Sequence, residues 1–94
     1  MRPPKDYKHF KFIQVSSPPQ VKTRRWEART KDERTVLGNV RWYAHWRRYV
    51  FFPEANTLYD QNCLWDIADF VAERTAEQKE IQKENRRGLQ TGNK

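Results

Sequence analysis

The chain has 94 residues, 36% of them hydrophobic, and a mean hydropathy of −1.15, enough for one modest core in one domain. Aromatic residues make up 14%, which excludes general disorder, and a formal charge of +7 makes polyanions the first class of partner to consider. One cysteine, Cys63, excludes an intramolecular disulfide framework; no apolar run is long enough to cross a bilayer, and "MRPPKDYKHF" lacks the apolar stretch of a secretory signal, so a reducing cytoplasm is expected.

Residues 1–7 read as a flexible basic arm, because Pro3 and Pro4 block regular pairing. "HFKFIQV" (9–15) is rich in aromatic and β-branched residues and reads as a first strand, stopped by the paired prolines of "SSPPQ" (16–20). "TRRWEART" (23–30) alternates, with Trp26 and Ala28 on one face and Arg25, Glu27 and Arg29 on the other. After the charged turn "KDER" (31–34), "TVLGNVRWY" (35–43) places Val36, Val40 and Trp42 in phase, with Gly38 at the same parity marking a bulge or a close approach. A short connection near residues 44–46 leads to a fourth strand, "RRYVFF" (47–52), which Pro53 ends. Asp60 or Asn62 then caps a helix whose apolar stripe is Leu64, Ile67, Ala68 and Val71. Trp65 lies off that stripe, where it would cover the loop at 53–60.

This order predicts an α+β fold: a three- to four-stranded antiparallel sheet packed on one face by a C-terminal amphipathic helix. The domain is expected over residues 8–75, with 76–94 a polar helical extension and disordered tail.

Charge is distributed unevenly. Residues 1–50 carry 13 Lys and Arg against 4 Asp and Glu, a balance of +9, while residues 51–94 balance at −2. The positive excess therefore belongs to the strands. If the helix covers the face of Trp26, Ala28, Val36, Val40 and Trp42, alternation assigns Val50 and Phe52 to that inner face. Arg25, Arg29, Arg41, Tyr43, Arg47, Tyr49 and Phe51 are then expected on the other. That outer face has several readings. Arginine stems can simply lie over cross-strand ring pairs, or over rings that another part of the chain covers. Alternatively, aromatic platforms beside guanidinium groups stack bases and contact phosphates.

No catalytic constellation stands out. His9 and His45 lie in different elements, no serine-nucleophile pattern accompanies them, Cys63 has no neighbour at zinc-ligand spacing, and no glycine-rich phosphate loop is present. Neither enzyme activity, nor a metal, nor a cofactor is expected. At a helix start the Cys63 thiol is open to acidification, but its expected role is that of a small buried or capping residue.

Residues 37–75 carry the patterns LG-x-V-x-W-Y, W-R-x-Y-x-F-F-P and C-L-x-D-I-A-x-F. In these the chain resembles a group of small, mostly uncharacterised proteins encoded by bacteriophages and prophages. The resemblance implies an accessory protein in the cytoplasm of a bacterial host, and no particular set of functional residues. "RRWEAR" and "VLGNV" are also similar to two strands of the sheet-plus-helix DNA-binding modules at the amino termini of phage integrases. The chain departs from these by inserting residues 41–62 before the helix.

The resulting expectation is a non-enzymatic phage-type accessory protein that binds nucleic acid, DNA or RNA. Arg25, Arg29, Arg41, Arg47 and Arg48 would contact phosphates, Tyr43, Trp46 and Tyr49 would stack or wedge, and Lys5, Lys8 and Lys11 would form a mobile electrostatic arm. The alternative is a protein-interaction module that inhibits or modulates a host protein through the same face.

Overall fold

The computed structural model describes the backbone of residues 7–92 and the side chains of residues 7–84. Strands β1 (Phe10–Val15), β2 (Arg25–Thr30), β3 (Val36–Tyr43) and β4 (Arg48–Pro53) form an antiparallel meander in the order β1-β2-β3-β4. Helix α1 (Gln61–Gly92) packs across one face. The α+β architecture expected from the residue pattern is the one observed.

Local chemistry sets the turns. At the β2–β3 corner the Thr30 hydroxyl donates to Asp32 Oδ1 at 2.6 Å, and the Arg34 amide donates to the same oxygen at 3.0 Å. These two bonds, the hydroxyl's first, hold the Asp32 carboxyl below its usual range. At the start of α1 the Cys63 amide donates to Asp60 Oδ1 at 2.9 Å, so Asp60 is the cap, and that bond likewise lowers its carboxyl. The Cys63 thiol is raised, by burial first and then by the Asp60 hydrogen bond, the opposite of the acidification open to a thiol at a helix start.

Cross-strand partners share a face of the sheet. The helix side carries Phe10 and Phe12 of β1, Trp26 and Ala28 of β2, Gly38, Val40 and Trp42 of β3, and Tyr49 and Phe51 of β4. Ile67 and Phe70 of α1 close this core. Gly38 is there because nothing larger fits. A Cβ at that position would lie 2.5 Å from Phe51 Cζ and 2.7 Å from the carbonyl oxygen of Phe52. The ring tip could yield, but the backbone oxygen could not. Gly38→Ala is therefore expected to destabilise the fold by about 1–3 kcal/mol, read as a lower urea midpoint at unchanged slope; a shift within error would mean the strands are not so close.

Several residues sit elsewhere than alternation alone predicts. Tyr43 pairs with Arg48, so the β3–β4 connection has four residues, 44–47. The amides of Trp46 and Arg47 donate to the carbonyls of Tyr43 and Ala44 at 3.1 and 3.2 Å, and Arg47 turns the corner at φ 54°. One residue more than a connection over 44–46 moves every side chain of β4 to the opposite face. Tyr49 and Phe51 are consequently interior, and Val50 and Phe52 exterior. Val36 also changes face: it pairs with Arg29 because the register shifts at Ala28/Arg29 and leaves Leu37 as an extra residue. The Leu37 carbonyl accepts from the Glu54 amide at 2.9 Å and the Tyr59 hydroxyl at 2.8 Å, so the bulge anchors the loop before α1.

The helix is rotated from its expected setting. Leu64 is 52% exposed and Ala68 is also exposed, whereas Phe70 is fully buried. Trp65 is exposed too; Tyr59, not Trp65, meets Phe51, edge-on at 5.5 Å. The buried line continues through Arg74, 3% exposed, past the point where the apolar pattern stops. Arg74 lies over Phe70 at 4.8 Å and is neutralised by Glu77 (3.0 Å) and Glu73 (3.3 Å). Arg24, from the segment before β2, reaches Glu77 at 3.2 Å.

Residues 1–6 of the expected arm, Lys5 among them, lie outside the described residues. Its last residue, Tyr7, belongs to the core: the phenol donates to Asp69 Oδ2 at 2.9 Å, and the ring packs edge-on to Phe12 and Phe70. Burial, and then that hydrogen bond, push the Tyr7 phenol above its ordinary range. On the β4 edge, the Tyr49 amide donates to Thr75 Oγ1 at 2.9 Å and Pro53 has no amide hydrogen, which blunts that edge against pairing with another strand.

Candidate nucleic-acid interface

No helix or strand among the described residues packs on the other face of the sheet. The register lays this face out in rows. Ile13 faces Glu27, Glu27 faces Asn39, and Asn39 faces Phe52. One row nearer the β3–β4 turn, Val15 faces Arg25 and Arg41 faces Val50; Arg25 precedes Trp26 and Arg41 follows its partner Val40, so the two guanidinium-bearing residues are neighbours. Tyr43 and Arg48 form the last row.

The cations on this face fall into two groups. Away from the turn, Arg29 is held by Glu27 at 2.6 Å and donates to the Glu33 carbonyl at 3.1 Å, and Lys11 pairs with Glu33 at 3.2 Å. Those charges are satisfied within the protein. Toward the turn, Arg25, Arg41 and Arg48 have no acidic partner among the described residues. Arg25 Nε is buried and finds no hydrogen-bond acceptor there. Arg41 stacks its guanidinium over the Phe52 ring, 4.0 Å from the centroid, and Arg48 Nε donates to the Trp46 carbonyl at 3.3 Å. Stacking fixes the Arg41 plane while leaving its N–H edges free.

Beside these guanidinium groups lies a shallow hollow of about 210 Å³, lined by Tyr43, Trp46, Val50 and Phe52. Tyr43 organises it. His45 stacks on that ring at 5.2 Å, Trp46 meets it edge-on at 5.0 Å, and Phe52 lies 6.3 Å away. Trp46 is 61% exposed.

No protein-family model matches this chain, and neither does any curated protein or solved structure.

Of the eight residues expected to bind, the structure therefore brings Arg25, Arg41, Tyr43, Trp46 and Arg48 together. Arg29 shares their face but is tied to Glu27. Arg47 leaves it: the turn directs that residue toward the helix, where Trp42, Ala44, Arg47, Lys79 and Gln82 line a separate hollow of about 610 Å³. Tyr49 is only 1% exposed; its ring packs edge-on against Trp26 and Trp42, and burial raises its phenol. It is not a surface residue. The chain pattern missed Phe52 and Val50 as members of the hollow. The signal that would have found them is the length of the β3–β4 turn, which no Asn-Gly or Asp-Gly pair announces.

Among the described residues no group of His, Cys, Asp and Glu is placed to hold a metal ion, and no helix is long and apolar enough to cross a membrane.

Proposed function

We propose that this protein is a non-enzymatic, phage-type accessory protein of the bacterial cytoplasm, and that it binds nucleic acid through the turn-proximal half of its helix-free sheet face. The observation that carries this reading is the set of three guanidinium groups without acidic partners, on Arg25, Arg41 and Arg48, beside an aromatic hollow. Phosphates satisfy the first feature, and ring faces satisfy the second.

Charge reversal tests it. Arg41→Glu with Arg48→Glu removes two phosphate contacts at exposed positions, so the fold should persist by circular dichroism. Binding of a mixed-sequence oligonucleotide, followed by fluorescence anisotropy, should weaken at least about tenfold. The slope of log K against log salt should flatten by roughly 1.5 units, because two fewer counterions are released. Unchanged affinity and slope would show that this face is not the contact surface.

A second reading rests on a different observation. Leu58, Leu64 and Trp65 expose large apolar side chains around the start of α1. In that reading the protein is an interaction module that modulates a host protein. A partner retained from nuclease-treated bacterial lysate and lost in Trp65→Ser, with no oligonucleotide binding at either low or moderate salt, is the result that selects it.

A further inference from the structure

The hollow among Tyr43, Trp46, Val50 and Phe52 is open, apolar and walled on two sides by ring faces and edges. Its wall is set in place before any ligand arrives. The Trp46 amide is held by the Tyr43 carbonyl at 3.1 Å, its carbonyl accepts from Arg48 at 3.3 Å, and its ring abuts Tyr43 at 82°. A pre-set indole with most of its surface in water is a stacking platform that costs little ordering on binding.

The chemistry of that platform discriminates between forms of nucleic acid. In a duplex the base faces are covered by their neighbours, and a groove presents only edges, which need hydrogen-bonding partners. Tyr43, Trp46, Val50 and Phe52 offer ring and aliphatic surface instead. An unpaired base presents a whole face, with a phosphate on each side of it. Arg41, held over Phe52 at 4.0 Å, and Arg48, on the strand beside Trp46, stand where those phosphates would pass. An apolar peptide side chain would fill the hollow as well, but the cationic rim without acidic partners matches an anionic backbone.

We infer that the ligand of this face is a single strand, with one unpaired base seated in the hollow against Trp46. The inference rests on the reading of the face as a nucleic-acid interface, and its test separates the two. Three labelled probes of equal length are titrated with the full chain: a mixed-sequence single strand, the same strand in a duplex, and a strand of abasic sugars. The wild-type protein binds the ordinary single strand roughly tenfold tighter than either of the others. Trp46→Ala loses that advantage and binds all three alike, Trp46→Phe restores part of it, and the salt slope stays the same in both variants because no charge has been removed. Trp46 is exposed in a turn, so neither variant should unfold the domain. Equal wild-type affinity for the single strand, the duplex and the abasic strand overturns the seated base while leaving a phosphate-binding face. So does a Trp46→Ala variant that keeps the preference. Absence of binding to every probe overturns the interface itself.

Discussion

Phe70→Ala is expected to leave much of the protein unfolded at 25 °C. Phe70 is fully buried at the centre of the contact between helix and sheet. It stacks on Phe12 with centroids 3.9 Å apart and planes 4° from parallel, and it takes the edges of Trp26 at 5.5 Å and Tyr7 at 6.2 Å. Truncation removes the ring and strands three aromatic neighbours around a cavity that an edge-to-face cluster cannot collapse to fill. The cost is about 3–5 kcal/mol, comparable with the whole stability of a small domain. Urea denaturation followed by tryptophan fluorescence reads it directly. Leu64→Ala is the paired control, since Leu64 belongs to the stripe expected from periodicity but is half exposed. It should cost less than about 0.5 kcal/mol. Equal losses in the two variants would contradict the observed rotation of α1.

Glu77→Ala should produce the second largest loss, and by a different mechanism. Glu77 is shared by two arginines, Arg74 at 3.0 Å and Arg24 at 3.2 Å, and keeps only 19% of its side-chain exposure. Removing it leaves the buried Arg74 guanidinium with Glu73 at 3.3 Å. We expect about 2–3 kcal/mol, below the ~3–5 of a fully buried pair because Glu77 retains some contact with water. Arg74→Met should cost far less. The thioether stem fills similar volume over Phe70 and Trp26, and Glu77 keeps Arg24. Thermal melts of the two single variants and of the double variant decide the matter. If Arg74→Met is as damaging as Glu77→Ala, then the cation itself, and not the need to compensate it, stabilises the packing.

These experiments probe the places where the residue pattern and the fold part company. Alternation in β2 identified Trp26 and Ala28 as interior and Arg25 as exterior, because a strand with one oily face has only one stable setting. Gly38 was legible as a bulge or a close approach, and the close approach is what the fold shows at that residue. Asp60 was legible as one of two possible caps. Each of these depends on residues within a few positions of one another.

The composition and order of the residues thus determined the element sequence, the single-faced helix packing and the location of the positive charge in the strands. Only the tertiary structure decided which rings reach the surface. The parity of β4 depends on a four-residue turn held by backbone hydrogen bonds and an arginine at positive φ, and no side-chain pattern encodes that count. The rotation of α1 depends on a phenylalanine finding a parallel partner about sixty residues away, and the burial of Arg74 on Glu77, which one helical turn brings beside it. Side-chain periodicity reports what a segment prefers to bury; which of several near-equivalent faces it does bury is settled by long-range packing and charge compensation, which appear only once the chain has folded.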